Sequence, residues 1–250
     1  MATSYQGFAY VYDNFMDNIP YDEWSSYLIH LFQQYAIPSG NLIELGCGTG
    51  TLCLYMADAG YQMIGIDNSP DMLTIAAEKI QGNPHITLLL QDMRNLDLGT
   101  EYDGFYSLCD SMNYLLTPSD VQATFQCVST HLKKNGIFIF DLKTPYFYET
   151  VLGDNVFCDH QKDCSYTWEN SYYEEDHINQ YDLTIFTRQT DSELFERFSE
   201  THYQKAYSLE EIINLLSCSG LEYVTSYEAF TNNPPTCESE RIYIITRKAD

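Results

Sequence analysis

The chain of 250 residues has few basic residues: 12 lysines and arginines stand against 36 aspartates and glutamates, for a formal net charge of −24. The basic residues are scattered, and their only adjacent pairs are Lys133-Lys134 and Arg247-Lys248. Binding to nucleic-acid phosphates or to an anionic membrane surface requires clustered lysine and arginine. The composition therefore argues against a nucleic-acid partner and against a membrane partner.

Long apolar segments and cysteine motifs are also missing. No hydrophobic run approaches the ~20 residues of a membrane-spanning helix. The first residues, MATSYQGFAYVYD, have neither the basic stretch nor the apolar core of a signal peptide, so we expect a cytoplasmic protein. The eight cysteines form no CxxC pair, and the cluster Cys158, His160 and Cys164 falls short of the four ligands of structural zinc. We therefore expect no metal.

Residues 1–37 are rich in aromatic side chains. Four of them, together with two leucines, repeat with helical spacing and predict an amphipathic helix with Asp22 as its N-cap; the six residues are Trp24, Tyr27, Leu28, Leu31, Phe32 and Tyr35. The simplest interpretation of this stripe is packing against a core. The aromatic residues between Tyr5 and Tyr12 precede the helix, and they either pack in the same way or form a lid over a ligand.

Residues 41–141 alternate short apolar strands with helical stretches. The spacing predicts strands at 41–45, 62–66, 86–91, 102–108 and 136–141, and helices near 50–59, 70–81 and 118–134. Proline follows a capping residue at Ser69-Pro70 and at Thr117-Pro118, which marks the first turn of two of these helices. Strands separated by helices in this order predict a parallel sheet built of βαβ units.

Residues 156–206 change to a period of two. They predict an antiparallel meander of about three strands, at 165–173, 178–188 and 193–207, with the acidic trio at 174–176 as a solvated turn. We therefore assign residues 146–206 to an inserted antiparallel β lid or substrate subdomain.

The remainder, 1–145 and 207–250, is assigned to one α/β domain. In its last part, Ser208 and Glu211 form a capping box that opens a helix ended by Gly220. Strands at 221–227 and 241–246 follow. The short polar link between them leaves no room for a helix, which predicts antiparallel pairing.

The most informative segment joins the first strand to the first helix of the α/β region. It runs Glu44-Leu-Gly46-Cys47-Gly48-Thr-Gly50, and its GxGxG spacing differs from the GxGxxG of a dinucleotide site. Glycines allow the backbone to approach a ligand, and the helix N-terminus offers free N–H groups. Glu44 would repel a pyrophosphate but suits a ligand that carries positive charge.

Acidic residues also end the next two strands. Asp67 follows the second strand, where a carboxylate can accept both hydroxyls of a ribose. Gln91-Asp92-Met93 follows the third, where Asp92 can accept from an exocyclic amine and Met93 can lie against an adenine face. Open α/β sheets bind ligands at this carboxyl edge of their strands.

Taken together, these segments resemble the class I S-adenosylmethionine-dependent methyltransferases, over residues 41–141 strongly and over the closing strands more weakly. The resemblance implies a Rossmann-like, seven-stranded, mostly parallel sheet with an antiparallel final strand. Phe8-Ala-x-Val-Tyr12, Pro20-Tyr21-Asp-x-Trp24 and Asp110-Ser-Met-Asn113-Tyr resemble a bacterial subgroup of small-molecule type, which carries a β-insertion after the fifth strand.

The resemblance also implies roles for single residues toward S-adenosylmethionine. Gly46, Cys47 and Gly48, with Gly50 in the same loop, would meet the methionine part, and Glu44 would lie under the loop or orient the ammonium group. Asp67 would bind the ribose; Asn68 and Met72 would flank the adenine, and Gln91, Asp92 and Met93 would close it. Cys109 and Asp110 would lie beside the sulfonium, and Tyr12 and Tyr21 would close the cofactor from the N-terminal side.

The expected activity is methyl transfer to nitrogen or oxygen of a small-molecule acceptor by in-line displacement. Base candidates are Asp110, Asn113, His202 and His177, none of them compelling. Five tyrosines are proposed to contact a cationic methyl donor or a methylated amine through cation–π interactions: Tyr5, Tyr12, Tyr21, Tyr114 and Tyr172. Two alternatives stay open: a protein or RNA methyltransferase, and a non-catalytic module that binds S-adenosylmethionine. The acceptor and the choice between monomer and homodimer also stay open.

Overall fold

The computed structural model describes residues 12–13, 20–189 and 192–249. Its α-helices are α1 Tyr21–Gln34, α2 Thr51–Asp58, α3 Pro70–Ile80, α4 Pro118–His131 and α5 Leu209–Ser217. Its strands are β1 Asn41–Leu45, β2 Gln62–Asp67, β3 Ile86–Leu90, β4 Tyr102–Ser107, β5 Leu132–Lys143, β6 Val156–His160, β7 Cys164–Tyr173, β8 Ile178–Arg188, β9 Phe195–Lys205, β10 Leu221–Glu228 and β11 Arg241–Lys248. A 3₁₀ turn, Ser111–Tyr114, follows β4, and a π-helical turn, Phe147–Leu152, follows β5.

Seven strands form the main sheet, in the order β10-β11-β5-β4-β1-β2-β3. The five strands from β3 to β5 are parallel, and β11 runs antiparallel to both β5 and β10. The predicted mostly parallel sheet with an antiparallel final strand is therefore confirmed. Strands β2 and β3 are added on one side of β1 and strands β4 and β5 on the other, so the strand order switches at β1. This places the loop after β1 where open sheets bind ligands.

Helix α1 packs its apolar stripe on one face of this sheet, as the spacing predicts. Leu28, Leu31 and Phe32 are completely buried, and the Phe32 ring meets the Tyr106 ring edge-on at 6.2 Å between centroids. The prediction of Asp22 as the N-cap is wrong, because the helix begins at Tyr21 with Pro20 in the cap position. Asp22 lies in the first turn instead, where a carboxylate still interacts favourably with the helix dipole.

The insertion forms its own antiparallel sheet of four strands, in the order β6-β7-β8-β9. The sequence predicts about three strands because β6 has almost no buried residues, and a strand exposed on both faces shows no alternation. The acidic trio at 174–176 forms the exposed turn between β7 and β8, as predicted. In the described ranges, no cluster of three histidine, cysteine or carboxylate side chains could hold a metal ion.

Polar contacts join the insertion to the main sheet around the 3₁₀ turn. The Asn113 side-chain amide donates to the carbonyl oxygens of Lys143 on β5 and Lys205 on β9, at 3.2 and 2.8 Å. Its oxygen accepts the Lys143 N–H at 3.0 Å, and the Tyr207 hydroxyl donates to the Leu115 carbonyl. The turn that follows β4 is therefore fixed to both sheets. Within the described ranges, every helix is too short or too polar to cross a membrane.

Candidate active site

The loop between β1 and α2 is shaped by three glycines in the left-handed region. Gly46, Gly48 and Gly50 have φ values of 72°, 52° and 74°. A Cβ atom on Gly46 would lie 2.6 Å from Ser111 Oγ, so only glycine fits there, whereas a Cβ on Gly48 would point into open space. The loop backbone is therefore exposed to a ligand at Gly48 and packed against the 3₁₀ turn at Gly46.

Asp67 at the end of β2 holds this loop in place. Its Oδ2 accepts the Gly48 N–H and its Oδ1 accepts the Ser69 N–H, both at 2.8 Å. Burial raises the pKa of Asp67, while the backbone N–H donors act in the opposite direction by favouring the ionised form. The Asp67 carboxylate thus joins the ends of the first two strands.

A cleft of about 360 Å³ opens along the carboxyl edge of β1, β2, β3 and β4. Thirteen of the fourteen residues that the sequence predicts for cofactor binding line it: Tyr12, Tyr21, Glu44, Gly46, Cys47, Gly48, Asp67, Asn68, Met72, Gln91, Asp92, Met93 and Cys109. Gly50 does not line the cleft. It caps α2, and a Cβ there would lie 3.3 Å from the Ala76 Cβ, so Gly50 serves close packing against α3.

Glu44 lies beneath the glycine loop and is only 4% exposed. Its Oε2 accepts from the Cys53 thiol at 2.8 Å and from the Tyr106 hydroxyl at 3.0 Å. Burial raises the pKa of Glu44 to about 7, although these two hydrogen bonds act to lower it. The Glu44 side chain also lines the cleft.

The loop after β3 contains an arginine that the sequence reasoning missed. Arg94 pairs with Asp92 at 2.6 Å and with Asp120 at 3.0 Å, and it lines the cleft beside Asp92. Its hydrogen bonds lower the pKa of Asp92 and occupy both oxygens of that carboxylate. The Gln91 side chain also spans this loop: its Nε2 donates to the Asp97 carbonyl oxygen, and its Oε1 accepts the Asp97 N–H. Asp92 and Gln91 are therefore held in place by contacts within this loop and with Asp120.

Cys109 and Asp110 follow β4 in left-handed conformations, with φ values of 58° and 55°. Such conformations are strained for non-glycine residues and are concentrated at functional sites. The Asp110 N–H donates to Asp141 Oδ1 at 3.0 Å, which helps to hold the turn. As a result Cys109 lines the cleft, while the Asp110 side chain turns toward the insertion.

Asp110 is the centre of a buried ionic cluster. Arg241 Nη2 lies 2.9 Å from one of its oxygens, and Lys143 Nζ (3.4 Å) and Gln204 Nε2 (2.7 Å) approach the other. Arg241 also pairs with Asp141 and lies over the Trp24 ring at 5.1 Å. Arg241 and Gln204 are distant in sequence from the motifs, and nothing in the motif spacing indicates them.

The base candidates have different surroundings. Burial alone would raise the pKa of Asp110, but Lys143 and Arg241 hold it below its usual range, so it is a weak base. The Asn113 amide is fully used in joining the two sheets, which favours a structural role. His177 lies in the exposed turn before β8. His202 is 1% exposed and lies near Tyr114, a cleft residue.

The tyrosines proposed for cation–π contacts separate into groups. Tyr12, Tyr21 and Tyr114 line the cleft, and Tyr12 and Tyr21 share a side-chain hydrogen bond. Tyr172 is outside the cleft lining and lies 3.2 Å from His177 Nδ1, and Tyr5 lies outside the described residues.

Asp13, next to Tyr12, contacts the start of α2. It accepts from Thr49 Oγ1 at 2.7 Å and pairs with Lys79 at 2.7 Å. Lys79, in the last turn of α3, also donates to the hydroxyls of Thr49 and Thr51 at 2.8 and 2.7 Å. We call this set of four residues the Lys79 latch. It ties the N-terminal segment to the glycine loop.

Comparison with known proteins agrees with this architecture. A family model described as a methyltransferase domain matches residues 42–136. YqeM of Bacillus subtilis, named provisionally as a methyltransferase, is 34% identical over 247 residues, which cover 98% of this chain and 97% of YqeM.

Two further relatives are informative. A crystal structure of an S-adenosylmethionine-dependent methyltransferase from Clostridium acetobutylicum has a TM-score of 0.86 and 28% identity, covering 99% of this chain and 100% of that one. The dTDP-3-amino-3,4,6-trideoxy-alpha-D-glucopyranose N,N-dimethyltransferase of Streptomyces venezuelae is 28% identical over 46% of each chain. The chain therefore belongs to the class I S-adenosylmethionine-dependent methyltransferases.

Proposed function

We propose that the cleft binds S-adenosylmethionine and that the enzyme transfers its methyl group to a small-molecule acceptor approaching from the side of the insertion. The observation that carries this proposal is the convergence of thirteen predicted residues, from five separate segments, on one cleft. The residues also fit the ligand chemically. Asp67 supplies a carboxylate at the strand end that suits a ribose, and the loop backbone is open at Gly48.

Each part of the cleft is proposed to hold one part of the cofactor. The loop 46–48 faces the methionine part, with Glu44 as the nearby acidic group for its ammonium. Asn68, Met72 and Met93 surround the adenine. The bound cofactor supplies an electrophilic methyl group on a sulfonium, which an acceptor lone pair displaces in line. The protein positions the acceptor and excludes water, while the rings of Tyr12 and Tyr21 cover the charged centre.

The insertion is proposed to form the acceptor side of the site. Its last strand, β9, contributes Gln204 to the Asp110 cluster and His202 to the neighbourhood of Tyr114. The net charge of −24 suits a neutral or cationic acceptor. The Streptomyces relative, named for dimethylation of an amino sugar, supports a small acceptor of this kind.

Calorimetry with S-adenosylmethionine tests the cofactor assignment. We expect the wild-type protein to bind and Asp67→Ala to bind at least about 10-fold more weakly, because a lost charge-assisted hydrogen bond costs more than about 1.4 kcal/mol. Asp103→Ala is the matched control: Asp103 also accepts a backbone N–H at a strand end, at 2.8 Å, but lies outside the cleft lining. Equal affinities for Asp67→Ala and the wild type would contradict the assignment.

Label transfer separates the remaining functions. The methyl-labelled cofactor is incubated with the enzyme and a cell extract, which is then divided into metabolites and macromolecules. We expect label in the metabolite fraction. Label in protein or RNA would favour the corresponding macromolecular methyltransferase. Binding of the cofactor without any label transfer would favour a non-catalytic module.

A further inference from the structure

Strand β9 presents three polar side chains on the face that packs toward the 3₁₀ turn. They are Glu200, His202 and Gln204, whose spacing of two places them on one side of the strand. His202 and Gln204 are 1% and 0% exposed, whereas Tyr203 between them is 44% exposed. Gln204 belongs to the Asp110 cluster. Glu200 and His202 have no part in the cofactor assignment above.

The His202 imidazole is held on two sides by tyrosine rings. It stacks on Tyr181 of β8, with 5.2 Å between centroids and 17° between planes, and meets Tyr114 edge-on at 6.0 Å. Its Nδ1 lies 3.3 Å from the Tyr114 hydroxyl, and its Nε2 lies 3.2 Å from Glu200 Oε2. The Tyr114 and Tyr181 hydroxyls are 2.6 Å apart. A continuous polar chain thus leads from the cleft to Glu200.

The contacts suit one tautomer of His202. With the proton on Nε2, which lies 3.2 Å from the Glu200 carboxylate, Nδ1 keeps a lone pair. His202 Nδ1 then accepts from the Tyr114 hydroxyl, whose oxygen accepts from the Tyr181 hydroxyl. Among the described residues, the titratable groups in contact with His202 include Glu200 on its own strand, Tyr181 on β8 and Tyr114 on the 3₁₀ turn. Asp110 lies beyond Gln204, where Arg241 and Lys143 balance its charge.

We propose that Tyr114, His202 and Glu200 form a proton relay that deprotonates the ammonium form of a primary or secondary amine acceptor. This inference rests on the proposed methyl transfer and specifies its substrate class. The acceptor N–H bond breaks and its proton passes to Tyr114 Oη, while the Tyr114 proton passes to His202 Nδ1. The amine keeps the electron pair that attacks the methyl group, and Glu200 stabilises the imidazolium until its proton returns to solvent. Tyr114 is the catalytic residue, and His202 and Glu200 are positioning residues.

The chemistry of the relay suits an amine better than a hydroxyl. An alkylammonium group titrates at about 10, so at neutral pH an amine acceptor carries a proton that must leave before its nitrogen can attack, and the relay gives that proton a path. An alcohol is a far weaker acid and would need a stronger base. The negative charge of the protein also attracts a cationic acceptor.

The histidine tautomer can be tested on the wild-type protein without any acceptor. Side-chain ¹⁵N NMR at pH 8 is expected to show His202 protonated at Nε2 and unprotonated at Nδ1. The opposite tautomer would overturn the relay, because Nδ1 could then accept nothing from Tyr114. The exposed His177, in the turn between β7 and β8, lies 3.2 Å from the Tyr172 hydroxyl and provides an internal comparison.

The pH profile tests the role in turnover. Label transfer from the methyl-labelled cofactor into a metabolite extract is measured between pH 6 and 10. His202→Asn and Tyr114→Phe are expected to be about 100-fold slower at pH 7 and to approach the wild-type rate near pH 10, where the amine is already neutral. His177→Asn and Tyr172→Phe are the matched controls and should follow the wild type throughout.

The substrate class is tested by acylating the extract with N-acetoxysuccinimide, which blocks primary and secondary amines and leaves hydroxyls free. We expect the acylated extract to accept no label. Label that persists would overturn the amine assignment and leave methyl transfer itself intact. If the ratio of the variant rate of label transfer to the wild-type rate stayed constant with pH, the relay would be overturned. Wild-type rates for Tyr114→Phe and His202→Asn at pH 7 would overturn it as well. No transfer at all, despite cofactor binding, would instead contradict the proposed function.

Discussion

At the residue scale, Glu44 combines burial with two neutral hydrogen-bond donors, and this combination sets its proton affinity. The pKa rises from 4.5 to about 7. That rise corresponds to about 3 kcal/mol between the two protonation states. The folded protein therefore binds a proton at Glu44 more tightly than the unfolded chain does. Below pH 4.5 the group contributes nothing to the difference; between pH 4.5 and 7 it progressively destabilises the fold, and above pH 7 that loss is complete.

Replacement of Glu44 by glutamine should reveal this effect. Glutamine resembles the protonated carboxyl group, so Glu44→Gln should be closest to the wild type at pH 5. The difference in free energy of unfolding between Glu44→Gln and the wild type should shift in favour of the variant by up to about 3 kcal/mol between pH 5 and pH 8. Urea unfolding without cofactor at the two pH values measures the change.

Asp103→Asn is the control for this measurement, because the pKa of Asp103 is lowered: Lys133 and backbone donors outweigh its partial burial. Its stability contribution is complete above pH 4, so its effect should be equal at pH 5 and pH 8. If Glu44→Gln behaved in the same flat way, the raised pKa would be wrong.

Individual site residues were predictable where the motif itself fixes their place. Asp67 and the loop 46–48 follow directly from a strand that ends in glycine or in an acid, because parallel strands bring these ends together. Arg241 and Gln204 reach the site through an antiparallel strand and an inserted sheet. Their positions depend on strand register and on how the two sheets pack together, and the spacing of residues along the sequence does not indicate either.

At the scale of elements, the N-terminal segment and the glycine loop are joined by the Lys79 latch. Lys79 is 25% and Asp13 39% exposed, so their ion pair alone is expected to contribute at most about 1 kcal/mol. The two threonine hydroxyls add hydrogen bonds at the first turn of α2. Because Tyr12 adjoins Asp13 and lines the cleft, the latch should affect the cofactor more than the fold.

Lys79→Met is therefore expected to weaken S-adenosylmethionine binding about 3- to 10-fold, equivalent to about 1 kcal/mol, with little change in melting temperature. Lys133→Met is the matched control, since Lys133 forms a comparable ion pair with Asp103 at 2.8 Å away from the cleft. Calorimetry of both variants measures the difference. Equal affinities for the two would show that the latch does not hold the cofactor side.

The elements were predictable where their sequences carry a clear apolar pattern. The parallel strands carry short apolar runs, and all five were predicted, including the edge strand β3, which has no buried residue. The edge strand β6 was missed because its residues are mostly exposed. Helix α1 was predicted from its apolar stripe, but its predicted start is too late. Asp22 is a favourable cap residue, and the sequence does not show that the chain already enters the helix at Tyr21.

At the scale of the whole molecule, the net charge of −24 opposes folding by repulsion between carboxylates. The ion pairs observed in the described ranges are mostly exposed, and the main buried cluster joins Asp110 and Asp141 to Arg241 and Lys143. The two negative and two positive charges of that cluster balance each other. The excess of negative charge therefore lies on the surface, where dissolved ions screen it over a Debye length of about 8 Å at physiological ionic strength.

Salt should consequently stabilise this protein. Between 10 mM and 200 mM sodium chloride, screening should weaken the repulsion by more than it weakens the few exposed ion pairs, and the melting temperature should rise. A gain of about 1 kcal/mol corresponds to about 2–4 °C for a domain of this size. Differential scanning calorimetry at pH 8 measures the shift. Repeating it at pH 5, closer to the pI of about 4.3, should give a smaller rise. A melting temperature that falls with salt at pH 8 would mean that the surface ion pairs outweigh the repulsion.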